Sequence, residues 1–322
     1  MKSEMKDYQW PSSFANQNIK YNIQNEKKIS HKLISEIEGY FQTHYNYKII
    51  LFPSARAAIA SILRFLKIDR SKEVFVNKWV SHCIFNTVGR YSNISTSFKS
   101  PDVAIAVHKW GFEQIIPSKK NIKIIEDSVD SIILDKNDLF TNKSEFEIFS
   151  LPKIINSVCG GIVLTKNFHF YEFAKKEQMK NKDLGKYQSR RKFEQVNKKR
   201  TFHSWLYHES KNTFLEYNAL LDIKNNLKNF EINKKILLKR TKSFKSNFYK
   251  IAYFSKRLGP IIPIKYKLIK NHKLMNEYFL LRNIHKNKNQ IESFKKVYIF
   301  PIHFKISERK YRFYLEILNK CL

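Results

Sequence analysis

The sequence predicts an α/β fold: a mainly parallel seven-stranded sheet sandwiched by helices, followed by a small C-terminal α+β domain. Three observations carry that expectation. Short apolar runs without polar alternation recur between residues 47 and 167, amphipathic stretches separate them, and beyond residue 168 the chain turns glycine-poor and charged before ending strand, helix, strand, helix. A polar helical pattern precedes residue 47. YKIILF (47–52) then reads as a buried strand, and SARAAIASILRFLK (54–67) carries Ala, Ile and Leu at helical spacing with Ser54 as N-cap. EVFVNK (73–78) is the second strand, WVSHCIFNTVGR (79–90) a helix, ISTSF (94–98) the third strand and DVAIAVHK (102–109) the fourth. NIKIIEDSVD, EFEIFS (145–150) and GGIVLTKN (160–167) complete the series.

The segment 175–200 reads as a helix end followed by a basic loop, either a solvated connector or an anion-binding lid. A long helical pattern over 213–256 precedes the strand IIPIKYKLI, the helix HKLMNEYFLL, the strand VYIFPIH and a last helix over 306–320. The expected division is a large domain over 1–210 and a small one over 211–322 that includes the long connecting helix. At 322 residues the chain is long enough for both to bury a core.

Composition excludes several classes. No run of eighteen apolar residues exists, so a spanning helix is not expected. The start MKSEMKDYQWPSSF lacks the apolar run of a secretory signal, which makes the cytoplasm the expected location. Cys83, Cys159 and Cys321 have no paired spacing, and read as reduced thiols instead of a metal or disulfide framework. The net charge of +32 attracts anionic partners, but the lysines are scattered among Asn, Ile, Phe and Tyr as a base-composition bias scatters them. Composition bias is therefore the favoured explanation of the charge, and nucleic acid is not the expected partner.

Chemistry concentrates at strand ends, where ligands bind in open α/β sheets. Glu126 and Asp127 close one strand, and alternation points them to opposite faces, so one of them faces a ligand. That carboxylate suits a protonated ring nitrogen, a metal, a substrate hydroxyl or the N-cap of the following turn. Ser54 opens a helix directly after a strand, which reads either as a phosphate site on backbone N–H groups or as an ordinary N-cap that binds nothing. Trp79 follows another strand and offers a flat face for stacking, or a core side chain. FSLPKIINSVCGG (149–161) adds Lys153 and spends two of seven glycines, Gly160 and Gly161. Anion site, ring stack, carboxylate and amine together are what pyridoxal phosphate requires.

Over residues 35 to 170 the sequence resembles the DegT/DnrJ/EryC1/StrS sugar aminotransferases, fold-type I pyridoxal phosphate enzymes. LFPSARAAIASIL is similar to the family's Ser-Gly-Thr helix start, which implies phosphate binding by Ser54 and the backbone of Ala55 and Arg56. NKWVSHCIFNTV resembles the segment whose aromatic lies on the cofactor ring, implying Trp79. AIAVHKWG resembles a strand ending in Val-His-x-x-Gly, placing His108 and Gly111. IIEDSVDSI resembles Ile-Glu-Asp-Ala-Ala-Gln/His, implying that Asp127 pairs with the pyridinium nitrogen and that Asp130 lies near the ring oxygen. FSLPKIINSVCGG resembles the active-site lysine segment, implying Lys153 as the catalytic amine and Ser150 as a phosphate ligand.

The sequence departs from the family at four places. Asp130 replaces Gln or His, Ser150 and Lys153 stand two residues closer, Lys211 or Asn212 occupies the place of the Asn that reaches the partner's phosphate, and the substrate loop before VYIFPIH is short. The resemblance implies a homodimer that moves an amino group from a donor such as glutamate to a keto sugar, commonly nucleotide-linked, for cell-surface polysaccharide such as O-antigen. Two rival classes are a catalytically degenerate cofactor-binding relative and a basic protein that binds anions or nucleic acid.

Overall fold

The computed structural model describes residues 26–117, 121–157, 159–180, 215, 217–288 and 291–322. Helix α1 (Glu26–Tyr45) leads into β1 (Lys48–Phe52), α2 (Ala55–Phe65), β2 (Glu73–Val76), α3 (His82–Val88), β3 (Asn93–Ser95), β4 (Val103–Val107), β5 (Lys123–Asp127), β6 (Phe146–Ser150), α4 (Leu151–Ile154), β7 (Gly161–Thr165) and α5 (Phe168–Lys180). The seven strands form one sheet in the order β1-β7-β6-β5-β4-β2-β3. Only β7 runs antiparallel to its neighbours; the other pairings are parallel.

The apolar runs form this sheet because both of its faces are covered. In β1, Ile49 and Leu51 pack with α1, whereas Ile50 and Phe52 pack with α2 and α5. In β7, Ile162 and Leu164 join the first cluster and Val163 the second. A strand buried on both faces loses polar alternation, as these strands do. On α2, Ala57, Ala58, Ile59, Ile62 and Leu63 are fully buried, and Arg64 pairs with Glu177 of α5 at 2.8 Å.

The small C-terminal domain contains α6 (Tyr217–Asn226), α7 (Asn229–Phe248), β8 (Ile261–Lys265), α8 (His272–Tyr278), β9 (Leu280–Lys288), β10 (Ile291–Pro301) and α9 (Glu308–Cys321), with an antiparallel sheet in the order β8-β10-β9. The buried Arg240 of α7 donates to the carbonyl oxygens of Ile302, His303 and Ile306, which fixes the segment after β10 against the helix. Among the described residues no helix is long and apolar enough to cross a membrane.

Four expectations are corrected. The helix expected over 79–90 begins at His82, because Asn77 to Ser81 form a turn in which Val80 N–H bonds Asn77 C=O. The helix expected over 213–256 is two helices separated at Leu227–Lys228, followed by irregular chain after Ile251. The helix expected to reach 281 stops at Tyr278, and Leu280–Lys288 becomes a strand because β10 offers it a nine-residue ladder. Correspondingly β10 starts at Ile291, six residues before the strand expected at Val297. The domain boundary at 210/211 and most of the basic 175–200 segment lie outside the described residues.

Candidate active site

Sheet register brings the strand ends together. Gly161, the first residue of β7, lies opposite both Phe52 at the end of β1 and Ser150 at the end of β6. Pro53–Ser54–Ala55, the Gly160–Gly161 pair and Ser150–Lys153 therefore meet at one place. Gly160 has φ +107°, a conformation that glycine adopts without strain, and its N–H bonds Pro53 C=O at 2.9 Å while its carbonyl accepts from Leu151 N–H at 3.2 Å. Gly161 is required for space: a Cβ there stands 2.5 Å from Ala55 N. Two rare glycines thus let β7 start directly against the N-terminus of α2.

At that N-terminus Ser54 is the N-cap, its Oγ accepting from Ala57 N–H at 3.2 Å. Ala55 and Arg56 begin the helix, and no carbonyl within the helix can take their N–H groups. The positive end of α2 is a ready anion cradle. Ser150 closes β6 and caps the four-residue α4, which carries Lys153. Lys153 thus lies on a single helical turn that follows β6 directly.

Glu126 and Asp127 do point to opposite faces. Asp127 is buried and accepts from Val129 N–H at 3.1 Å. Burial pushes its carboxyl up to about 6; the Val129 bond and the Lys153 charge act against that shift and Asp130 adds to it. Lys153 Nζ donates to Asp130 Oδ1 at 2.6 Å. Burial pulls the lysine down, but the charges of Asp130 and Asp127 outweigh it and hold the ammonium above its ordinary range. Lys153, Asp127 and Asp130 are thus one electrostatic group, and the α2 cradle lies across Gly161 from it.

Trp79 occupies the turn after β2 and is 43% exposed. Its N–H bonds Asn77 Oδ1, and its carbonyl receives Lys109 Nζ at 3.5 Å. Trp79 lines a cleft with Lys109, Trp110, Glu113 and, from the small domain, Asn283 and Ile284. Lys211 and Asn212 lie outside the described residues.

Glu126 serves the other face. His108 Nδ1 accepts Gln114 N–H at 3.1 Å, so Nε2 carries the proton and donates to Glu126 Oε2 at 2.8 Å. Burial holds His108 below its usual range and therefore neutral. Arg257, fully buried, donates to Glu147 Oε1 at 2.7 Å, to Thr141 Oγ1 and to Asp138 C=O, and lies 3.7 Å from Glu126. His108, Glu126 and Glu147 carry donor atoms close enough for a metal, but the guanidinium already stands among them as the cation. The cluster ties the small domain to the strand ends, and there Gly259 packs so closely on Trp110 that a Cβ stands 1.9 Å from its carbonyl oxygen. Arg257 and Lys109 were not singled out in the sequence, since two cations among 60 Lys and Arg carry no signal of their own. Gly259, one of seven glycines, was the available pointer.

Residues 37–321 match the family model described as "Putative PLP-dependent aminotransferase". No curated protein matches. Among solved structures the fold is similar to "Putative sugar aminotransferase Spr1654 from Streptococcus pneumoniae, PMP-form" (TM-score 0.60, 13% identity, 89% of each chain). It is similar also to a DegT DnrJ EryC1 StrS aminotransferase from Brucella abortus (TM-score 0.58, 10% identity, 89% of this chain and 90% of that one). A third is NtdA from Bacillus subtilis with bound cofactor PMP (TM-score 0.60, 11% identity, 89% and 77%).

Proposed function

This chain belongs to the PLP-dependent aminotransferase family that its residues 37–321 match, and on that premise we propose that it aminates a keto sugar with an amino acid as donor. The observation that carries the reading is the convergence of Lys153, Asp127 and the α2 N-terminus at the ends of β6, β5 and β1. The residues fit pyridoxal phosphate: an anion cradle kept open by Gly161, a carboxylate, and an amine are the donor set that it needs. The cofactor supplies an aldehyde that takes up amines and a ring that accepts electrons from the substrate carbon.

Ser54, Ala55, Arg56 and Ser150 hold the phosphate at the positive end of α2. Asp127, ionised above about pH 6, keeps a proton on the ring nitrogen. Trp79 offers its flat face. Lys153 Nζ would hold the cofactor through its aldehyde and, as a free amine, would serve as the general base for the proton on the donor α-carbon. Nucleotide linkage of the sugar is supported by the +32 net charge, which favours a diphosphate. Homodimer formation, glutamate as donor and a role in cell-surface polysaccharide complete the proposal. The test is amino exchange. Purified protein loaded with pyridoxal phosphate is mixed with L-glutamate, and 2-oxoglutarate is measured together with loss of the yellow colour. Stoichiometric 2-oxoglutarate, followed by amino transfer to a nucleotide-linked keto sugar, supports the reading. A yellow protein that never exchanges amino groups refutes it in favour of a cofactor-binding relative.

A further inference from the structure

Asp130 lies in the turn after β5, three residues beyond Asp127, and its Oδ1 accepts the 2.6 Å bond from Lys153 Nζ. The side chains are 20% and 35% exposed, so water screens this pair only in part. Three groups face Lys153: Asp130, Asp127 and, from α3, Cys83. The charge of Asp130 is felt also by Lys109, which follows β4, but burial holds that ammonium below its ordinary range. The 2.6 Å bond joins the turn after β5 to the helical turn after β6.

An amine attacks a carbonyl only as the free base, and a carboxylate at hydrogen-bond distance stabilises its ammonium form. Where the resembled family carries Gln or His, this chain carries a group that competes with the lysine's own chemistry. We propose that Asp130 is a positioning residue: the counter-ion that aims Lys153 Nζ across the ends of β5 and β6 and keeps it charged until the cofactor is taken up. The proposal rests on the reading of Lys153 as the cofactor lysine. It assigns Asp130 a hold on the amine in place of a contact with the cofactor ring. Removing the Asp130 carboxylate must then make the Lys153 amine easier to deprotonate, and restoring a carboxylate one methylene longer must partly reverse that, which a merely structural role for the residue does not produce.

Competitive acylation of cofactor-free protein with acetic anhydride between pH 7 and 11 measures this, with the Lys153 peptide quantified by mass spectrometry against the exposed Lys256. In Asp130→Asn the Lys153 midpoint falls by about one pH unit, so that acylation at pH 8 rises about tenfold. Asp130→Glu returns the midpoint towards wild type. An unchanged or raised midpoint in Asp130→Asn, or an Asp130→Glu midpoint no different from that of Asp130→Asn, overturns the proposal. Should Asp130→Asn fail to fold, Asp130→Ser decides alone: a fall in the midpoint supports the proposal, and no change or a rise overturns it. Uptake of pyridoxal phosphate, followed separately by borohydride trapping, reports on the assignment of Lys153. Acylation shifts without uptake refute that assignment and leave the ion pair standing.

Discussion

Gly161 is the point at which the fold and the site depend on each other most closely. Replacing it with alanine puts a methyl 2.5 Å from Ala55 N, 2.7 Å from Ser54 C and 3.0 Å from Ala55 Cα. Against an optimum separation of about 3.5 Å for non-bonded heavy atoms, the overlap is roughly 1 Å. All three contacts are backbone, so no rotamer change relieves them. Either β7 leaves its register with β1 and β6, or the N-terminus of α2 moves outward. Overpacking of this kind costs about 1–3 kcal/mol, and three contacts to the backbone of Ser54 and Ala55 argue for the upper end, about 3 kcal/mol. Gly39 in α1 is the control, because nothing stands within 4 Å of a Cβ there. Gly39→Ala gains about 0.5–1 kcal/mol from helix propensity alone. Urea unfolding of the cofactor-free proteins measures both, and pyridoxal phosphate titration asks whether the cradle was displaced. Gly161→Ala lowers the midpoint and weakens cofactor binding, while Gly39→Ala does neither. A Gly161→Ala protein with wild-type midpoint and wild-type cofactor affinity refutes the reasoning.

Two further predictions follow from buried charge. Arg257→Met leaves Glu126 and Glu147 buried without their cation, at a cost of about 3–5 kcal/mol by urea unfolding; a loss under about 1 kcal/mol contradicts the clamp drawn between the small domain and the strand ends. Asp127 ionises in the folded protein near pH 6, up from the usual 3.8, so the native state holds the proton more tightly than the unfolded one. Its ionisation therefore costs nothing below pH 4, sets in as pH rises from about 4 to 6, and above that amounts to about 3 kcal/mol. Asp127→Asn carries no such cost, so the variant's stability gains on wild type between pH 4 and pH 8 in the cofactor-free state. A difference between the two proteins that does not change with pH contradicts the raised value.

The seven-stranded sheet was legible because most of its strands are buried on both faces: runs such as KIILF and GIVLT leave no polar alternation to confuse them. The hairpin of the small domain was not legible in the same way. LLRNIHKNK is mostly polar, and nothing in it marks a strand until β10 pairs with it across nine residues. At the site, alternation alone separated Glu126 from Asp127, and the scarcity of glycine marked Gly160–Gly161. The ion pair of Lys153 with Asp130 was hidden, since it depends on how two turns after different strands approach each other. Arg257 was hidden for another reason: 110 residues separate it from Glu147, and it is one cation in a chain rich in them.

The central claim is that Lys153 is the amine that takes the cofactor. Wild-type protein and Lys153→Ala are incubated with pyridoxal phosphate, reduced with borohydride, digested and mapped by mass spectrometry. The account predicts cofactor fixed to the Lys153 peptide in wild type and to no peptide in Lys153→Ala. Wild-type protein without fixed cofactor, or the same labelled peptide in both proteins, contradicts it.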